Sequence, residues 1–314
     1  MRTQEFTMNR ILTYQITKEQ ESKAIRDFLA GKGYSRHIRT WIKQHSDSLL
    51  LNDAPALSYQ KLQAGDLLTV RLIEEESSEN IVPVPLPLNI VYEDEDLLIL
   101  NKAADTPVHP SIGNYENTLA NGVAWYYASQ GKPFVFRCIN RLDRDTTGLL
   151  ILAKNMLSGA LLSQQMKERK IHRTYLALVE GELSEQGTVS APIARTADSL
   201  ITRQVDFERG EHAVTHYQRL AFAPNGTFPQ QDGFPPQGIS LAKLQLETGR
   251  THQIRVHMTY LGHPLIGDTL YNPSTQLMKR QALHSFSLEF FHPVTGEKMS
   301  FTAPLPADME RFFP

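Results

Sequence analysis

Hydrophobic residues in the first part of the chain follow helical spacing twice and then turn strand-like. Apolar positions predict one helix over residues 22–31 and a second that starts after Ser35, a good N-cap residue, and runs to about residue 44. Two strand-like runs with a tight turn between them follow within residues 48–72. Residues 12–75 are therefore predicted to form a small α+β domain.

The composition changes abruptly after this segment. Four glutamates lie between residues 74 and 79, and prolines occupy positions 83, 85 and 87. Proline at this density blocks helix formation and interior strand pairing. Residues 76–88 are therefore predicted to be an extended acidic and proline-rich linker. The second domain is predicted to cover residues 89–314.

Strands and helices alternate irregularly in this second domain, which indicates an α+β fold rather than repeated βαβ units. The nearly all-apolar run 148–153 predicts a buried central strand. A stretch rich in proline and glycine, 223–238, predicts a long surface loop between two strands. The other predicted strands cover 90–92, 97–100, 174–179, 216–220, 240–247, 285–291 and 298–303, and helices cover 117–129, 158–170 and 252–261.

Composition adds several exclusions. Cys138 is the single cysteine among 314 residues, which excludes an intrachain disulfide and a cysteine-based zinc site. We expect it to be a small buried apolar residue rather than a nucleophile. The first residues lack the apolar core of a signal peptide, and no apolar run could span a bilayer. A cytoplasmic protein with no membrane partner is the expectation.

The charge balance hides local basic surfaces. Thirty-two Lys and Arg residues against 34 Asp and Glu residues give a net charge of −2, which argues against non-specific coating of nucleic acid. Between residues 23 and 43, however, Asp27 is the single acid among six bases. Such a run is either a solvated helical face or an RNA-binding surface. The six bases are Lys23, Arg26, Lys32, Arg36, Arg39 and Lys43.

The densest group of charges, residues 140–148, lies directly before the predicted central strand. Its sequence is Asn-Arg-Leu-Asp-Arg-Asp-Thr-Thr-Gly. Charges beside a core strand are costly unless they are paired, hydrogen-bonded or functional. The structural alternative is a polar turn in which Asp145 caps local amides and Gly148 relaxes the backbone.

Two further segments carry candidate chemistry. In residues 247–257, His252 and Arg255 share one face of the predicted helix, and a basic face at a helix start suits phosphate or carboxylate contact. His252 and His257 are five residues apart, which is poor spacing for a metal pair, and no metal site is predicted. Tyr175 lies on a predicted strand, where a tyrosine is most often half-buried packing.

These motifs, in this order, resemble those of the RluA family of pseudouridine synthases. Residues 140–148 resemble the family signature Arg-Leu-Asp-x-x-Thr-Ser-Gly. Residues 92–110 resemble its first motif, 170–181 its tyrosine motif and 248–271 its third motif, so that the resemblance covers about 88–305. The first domain resembles the S4 RNA-binding domain, which precedes the catalytic domain in members of this family.

The resemblance implies a mixed, mainly antiparallel sheet and the isomerisation of uridine to pseudouridine in RNA, with no cofactor or metal. Asp143 stands at the position of the catalytic aspartate, and Tyr175 at that of the active-site tyrosine, which stacks on uracil and is a candidate for removing its C5 proton. Arg255 matches the arginine expected to pair with the aspartate, with Arg250 as the alternative. Arg141 matches the arginine that helps displace the target base.

The resemblance also implies that Arg250, His252 and Ile254 contact the substrate. Two residues depart from the family pattern: Asn140 stands where many members have histidine, and Thr147 replaces serine but keeps the hydroxyl. Neither departure removes a group that the reaction needs.

The expected substrate is ribosomal RNA of the large subunit, acted on by a monomer. A tRNA-modifying synthase and a non-catalytic RNA-binding or assembly protein are the alternatives. A glycosidase or nuclease would need a second positioned carboxylate or a metal cluster, and neither is evident in the sequence.

Overall fold

The computed structural model describes residues 8–227, 235–273 and 277–313. Residues 8–74 form a four-stranded antiparallel sheet with two helices packed on it. The strands are β1 (Met8–Gln15), β2 (Leu49–Leu51), β3 (Ala54–Pro55) and β4 (Leu67–Glu74), in the order β1-β4-β2-β3, and the helices are α1 (Ile25–Gly31) and α2 (Arg36–Gln44), with 3-10 turns at Lys18–Gln20 and Ser46–Ser48.

Local signals account for most of this first segment. The Ser35 side chain accepts a hydrogen bond from the Ile38 amide at 3.3 Å, so α2 begins where its cap predicts. Strand β1 was not predicted, although it pairs with β4 along all eight residues. Only one face of β1 is covered: Leu12 is buried whereas Ile11 is exposed, which leaves a weak apolar pattern in the sequence.

The second segment is built on a nine-stranded sheet. The strands are β5 (Ile90–Glu93), β6 (Leu97–Lys102), β7 (Thr147–Ala153), β8 (His172–Glu180), β9 (Gln186–Ser190), β10 (Ile193–Arg195), β11 (Arg203–Val205), β12 (Val214–Ala223), β13 (Ile239–Leu246), β14 (Leu283–Phe291) and β15 (Lys298–Thr302), and the helices are α3 (Leu119–Ala128), α4 (Met156–Lys167), α5 (Gln253–Tyr260) and α6 (Ala307–Glu310). The order is β5-β6-β7-β14-β8-β13-β12-β9, with β15 paired to β14, while β10 and β11 form a separate hairpin.

The strand directions confirm a mixed, mainly antiparallel sheet in an α+β fold. Strands β7 and β14 run parallel, and the other neighbours are antiparallel. All seven residues of β7 are buried, which confirms the predicted central strand. At its start Gly148 has φ of +107°, and a Cβ there would lie 2.6 Å from the Ser285 amide nitrogen of β14. Glycine therefore permits the close approach of these two strands.

Residues 75–89, which contain the predicted linker, form no helix or strand, and they are hydrogen-bonded to the second segment. The Ser77 and Ser78 hydroxyls accept hydrogen bonds from the amides of Phe134 and Phe136, at 3.0 and 2.9 Å. Further along, the Asn121 side chain of α3 donates to the Val82 carbonyl at 2.8 Å. The linker is therefore held against the second segment instead of acting as a free spacer.

Helix α4 lies between the two segments. It begins two residues earlier than predicted because Asn155 caps the Ser158 amide at 2.9 Å, and it ends at Lys167, before Arg169 takes a left-handed φ of 56°. Leu157 is buried in the core of the first segment, and Leu161 packs against the same core.

Several features of the second segment could not be predicted from the pattern of apolar residues. Strands β9, β10 and β11 were not predicted, since their short runs are interrupted by polar residues. The predicted loop 223–238 connects β12 and β13, but residues 228–234 lie outside the described residues. No helix in the described part of the chain has the length and apolar character needed to cross a membrane.

Candidate active site

The three predicted motifs meet in one cleft of about 540 Å³. The loop before β7, the beginning of β8 and the segment around the start of α5 supply most of its wall. The residues that line the cleft include Arg141, Asp143, Arg173, Tyr175, Arg250, His252, Ile254 and Arg255. The structure therefore brings together every residue for which the sequence predicted a catalytic or substrate-binding role.

A chain of three charged side chains occupies the floor of the cleft. Arg255 donates from Nη1 to Oδ2 of Asp143 at 3.1 Å and forms a two-pronged ion pair with Asp268, at 2.7 and 2.8 Å. Arg255 is 4% exposed and Asp268 is fully buried. Burial alone would lower the pKa of Arg255, but the two carboxylates raise it above its ordinary value. The guanidinium is thus fixed by Asp268 in a position to hold Asp143.

Of the two arginines weighed as the partner of Asp143, the structure places Arg255 in contact with it. Arg250 instead forms an ion pair with Glu211 and donates to the His212 carbonyl at 3.1 Å. Arg250 remains at the rim of the cleft, where a substrate could contact it.

Lys102 anchors the loop that carries Asp143. It lies at the end of β6, 2% exposed, and Nζ donates to the carbonyls of Ala103 and Arg144, both at 2.7 Å. Burial lowers the pKa of Lys102 to about 7, against the opposing effect of Asp145 and Asp143. No role for this lysine was predicted from the sequence. The available signal was a lysine two positions after the apolar run 97–100.

Tyr175 reaches the cleft from the interior of the sheet. It lies on β8 opposite Ser285 of β14 and Leu244 of β13, and it is 4% exposed. Burial raises the pKa of the Tyr175 hydroxyl, and the guanidinium of Arg173 acts in the opposite direction. The ring is therefore fixed in place by packing, and it lines the same cleft as Asp143.

The predicted helix begins at His252, but α5 begins one residue later, at Gln253, and His252 precedes it. His252 adopts a left-handed φ of 57°, and its Nδ1 is hydrogen-bonded to the Tyr271 hydroxyl at 2.9 Å. Its Nε2 lies 3.9 Å from Oδ2 of Asp143. Burial lowers the pKa of His252, although Asp143 opposes this effect. Next to it, Ile254 contributes a buried apolar surface to the cleft.

The remaining residues of the signature divide into exposed and structural groups. Arg141 is exposed at the edge of the cleft and forms no ion pair with the described residues. Asn140 is buried and crosses to β7, where its Oδ1 accepts from the Ile151 amide at 2.8 Å. Thr147 is hydrogen-bonded to His284 at 2.8 Å. The Cys138 thiol donates to the Asn140 carbonyl, and burial raises its pKa to about 12, which disfavours a nucleophilic role.

One group of side chains has the composition of a metal site. Asp94, Asp96 and His292 bring ligand atoms within 4.8 Å of one another. Their atoms already have protein partners: Asp96 is paired with Arg10 and accepts from Ser158, and His292 contacts Asp94 at 3.0 Å. These contacts connect the first segment to the second, and the cluster serves as a structural junction.

The six basic residues of the first segment lie on and beside α1 and α2. Five of them are exposed, and Arg39 is half-buried with Nη1 donating to the Arg26 carbonyl at 3.2 Å. Among the described residues the single ion pair at this surface joins Arg26 to Asp27, at 3.7 Å. The surface therefore keeps most of its positive charge, which suits contact with phosphates.

Comparisons with known proteins agree with this geometry. The model of the family described as RNA pseudouridylate synthase matches residues 96–260, which contain the signature, Tyr175 and Arg255. The chain belongs to the RNA pseudouridylate synthase family. Members of this family are isomerases that act on RNA, and this chain is one of them.

Similar proteins match most of this chain, beyond the residues that the family model covers. An uncharacterized RNA pseudouridine synthase of Bacillus subtilis (strain 168), YjbO, is 41% identical over 91% of this chain and 97% of its own length. Ribosomal large subunit pseudouridine synthase D of Zymomonas mobilis is 39% identical over 81% of this chain and 80% of its own. The solved human RNA pseudouridylate synthase domain containing 1 is 27% identical, covers 69% of this chain and 83% of its own, and has a TM-score of 0.56. These matches agree with the resemblance to the RluA family.

Proposed function

We propose that this pseudouridine synthase modifies specific uridines of large-subunit ribosomal RNA, with Asp143 as its catalytic carboxylate. The observation that carries the catalytic assignment is the contact between Arg255 and Asp143 in a cleft that also contains Tyr175. The choice of RNA is supported by similar relatives that are named large-subunit ribosomal enzymes, among them those of Zymomonas mobilis and Pasteurella multocida.

In the reaction, the bond between N1 of uracil and C1′ of ribose breaks, the base turns, and C5 joins C1′. Asp143 serves in one of two ways. It attacks C1′, as the nucleophile of a retaining glycosidase does, and is displaced when C5 joins C1′, or it removes the 2′ proton to form a glycal and returns that proton when C5 joins C1′. Both routes use the carboxylate on the ribose side of the base. Arg255 fixes the orientation of that carboxylate, and Asp268 in turn fixes Arg255.

Tyr175 acts on the base side. Its ring stacks on uracil, and its hydroxyl carries a proton between the two positions that exchange bonds. A half-turn of uracil about its N3–C6 axis interchanges N1 and C5, so one hydroxyl beside C1′ meets each atom in turn. The phenol gives its proton to N1 as the glycosidic bond breaks and takes the proton from C5 after the new bond forms. The net change is one proton moved from C5 to N1.

Residues at the rim bring the target into the cleft. Arg141 displaces the base from its stack, a step that costs a few kcal/mol. Arg250, His252 and Ile254 contact the inserted nucleotide. Residues 12–75 act as an S4-like RNA-binding domain through their basic surface, and 76–88 join this domain to the catalytic domain, 89–314. The enzyme works as a cytoplasmic monomer and requires no cofactor.

Pseudouridine mapping of total RNA tests both parts of the proposal. Cells that lack the gene should lose one or a few pseudouridines in large-subunit ribosomal RNA. The wild-type gene should restore them, and a gene with Asp143→Asn should not, although the purified variant should still bind the RNA. Loss of sites only in tRNA would contradict the ribosomal substrate, and restoration by Asp143→Asn would contradict the role of this carboxylate.

A further inference from the structure

Arg173 is a cleft residue to which the proposed reaction gives no role. It lies on β8 two positions before Tyr175, so both side chains project from the same face of the strand into the cleft. Its Nε is buried without a hydrogen-bond partner, and its guanidinium forms no ion pair with the described residues. A buried polar group without a partner is rare and costly in a folded protein.

Three other arginines of the cleft are already paired. Arg255 is occupied by Asp143 and Asp268, and Arg169 forms an ion pair with Glu247 at 2.6 Å. Arg250, as described above, is paired with Glu211. Arg173 is thus a cation of the cleft without a carboxylate partner among the described residues, and it is partly buried whereas Arg141 and Lys167 are exposed.

The protein backbone leaves room for this guanidinium. Gly249 faces Arg173, and a Cβ at Gly249 would lie 3.3 and 3.5 Å from the two terminal nitrogens of Arg173. A side chain at position 249 would therefore press on the guanidinium. On the other side, the charge of Arg173 and its side-chain hydrogen bond to Tyr175 both lower the pKa of the tyrosine hydroxyl.

Tyr175 is where such a charge must develop if it carries the proton described above. A tyrosine that has given up its proton is a phenolate, and burial opposes the formation of this anion. On this basis, and resting on the proposed function, we propose that Arg173 is a positioning residue that stabilises the phenolate of Tyr175 between the two proton transfers. Arg173 itself exchanges no proton and forms no bond to the substrate.

The surrounding charges agree with this assignment. Asp143 lines the same cleft as Tyr175 and disfavours the phenolate, but Arg255 is bound to that carboxylate. The end of α4, the end of β13 and the start of α5 bring further charged groups to the cleft, and the loop before β7 brings Arg141. These groups are Lys167, Arg169, Glu247, Arg250 and His252.

Single-turnover kinetics on transcripts of large-subunit ribosomal RNA test the inference. The wild-type enzyme and Arg173→Gln each convert the same transcript in ordinary water and in heavy water, which deuterates the Tyr175 hydroxyl. We expect Arg173→Gln to slow pseudouridine formation about 100-fold, the scale of general acid–base catalysis. Loss of Arg173 opposes formation of the phenolate, so transfer of the Tyr175 proton to N1 becomes the slow step. Heavy water should therefore slow the variant further and more strongly than it slows the wild type. Arg173→Lys keeps the charge and should restore most of the rate without the added isotope effect.

Arg169→Gln is the matched control, since it removes a cation of the same cleft that is paired with Glu247. It should weaken RNA binding at most and leave the isotope effect at its wild-type size. An Arg173→Gln enzyme that loses RNA affinity without a larger isotope effect would overturn the inference and indicate a phosphate contact. A wild-type enzyme that forms no pseudouridine in any cellular RNA would overturn the proposed function, and this inference with it.

Discussion

The contact of Arg255 with two carboxylates predicts that stability and activity can be separated at this residue. Arg255→Gln removes the partner of Asp268, which is fully buried and would be left as an uncompensated charge. Breaking a buried ion pair in this way costs about 3–5 kcal/mol of unfolding free energy. With an m-value of about 3 kcal/mol/M, such a loss lowers the urea midpoint by more than about 1 M.

A second substitution should recover this stability. Asp268→Asn removes the buried charge but keeps a side-chain oxygen. That oxygen can still accept the hydrogen bonds that the amides of Leu270 and Tyr271 donate to Asp268, at 3.1 and 3.2 Å. We therefore expect the double variant Arg255→Gln/Asp268→Asn to unfold within about 1 kcal/mol of the wild type, because a neutral pair replaces a charged one. Its pseudouridine formation should remain lost, since nothing then holds Asp143.

Urea unfolding followed by fluorescence, together with pseudouridine formation, measures the two effects on the same samples. Arg209→Gln is a suitable control: Arg209 also donates twice to one carboxylate, in this case to Oδ2 of Asp206, but the Arg209 side chain is 67% exposed. An exposed pair of this kind contributes about 0–1 kcal/mol. The reasoning would be refuted if Arg255→Gln were no less stable than Arg209→Gln, or if the double variant regained activity along with stability.

Two further predictions concern the loop that carries Asp143 and the strand that follows it. Gly148→Ala forces a Cβ to within 2.6 Å of the Ser285 amide, so it should cost more than about 4 kcal/mol in urea unfolding, whereas Gly296→Ala, at a positive φ with open space around it, should cost about 1 kcal/mol; equal losses would contradict the close-approach argument. The pKa of Lys102 is about 7 when folded and about 10.4 when unfolded, so the unfolded chain binds more protons between these values, and the contribution of Lys102 to the unfolding free energy should rise with pH from about 7 to about 10. Lys102→Met should remove this rise, and a stability difference between wild type and Lys102→Met that stays constant with pH would contradict it.

Features that depend on short-range chemistry were predicted best. The capping side chain of Ser35 predicted the start of α2, and the apolar run of β7 predicted a strand that is buried on both faces. Alternating strands with one exposed face, such as β1, carried a weaker pattern and were not predicted. Helix α4 begins earlier than predicted because its N-cap, Asn155, lies outside the periodic apolar positions from which the helix was predicted.

At the site, the resemblance pointed to residues that lie in one cleft, but it left several of their contacts open. The motifs pointed to Asp143, Tyr175 and Arg255, while the choice between Arg250 and Arg255 required distances in space. Asp268 and Lys102 lie inside matching motifs, yet their importance comes from burial and from bonds to distant parts of the chain. Such contacts carry no local signature in a single sequence.

The position of α4 limits how this protein could have lost or exchanged its first segment, residues 8–74, during evolution. Leu157 and Leu161 are covered by the core of residues 8–74, and removal of that segment would expose both side chains to water. Recombination that separated the two segments would therefore lower the stability of the second segment. A relative that lacks the first segment should carry polar residues at the two helix positions that correspond to 157 and 161.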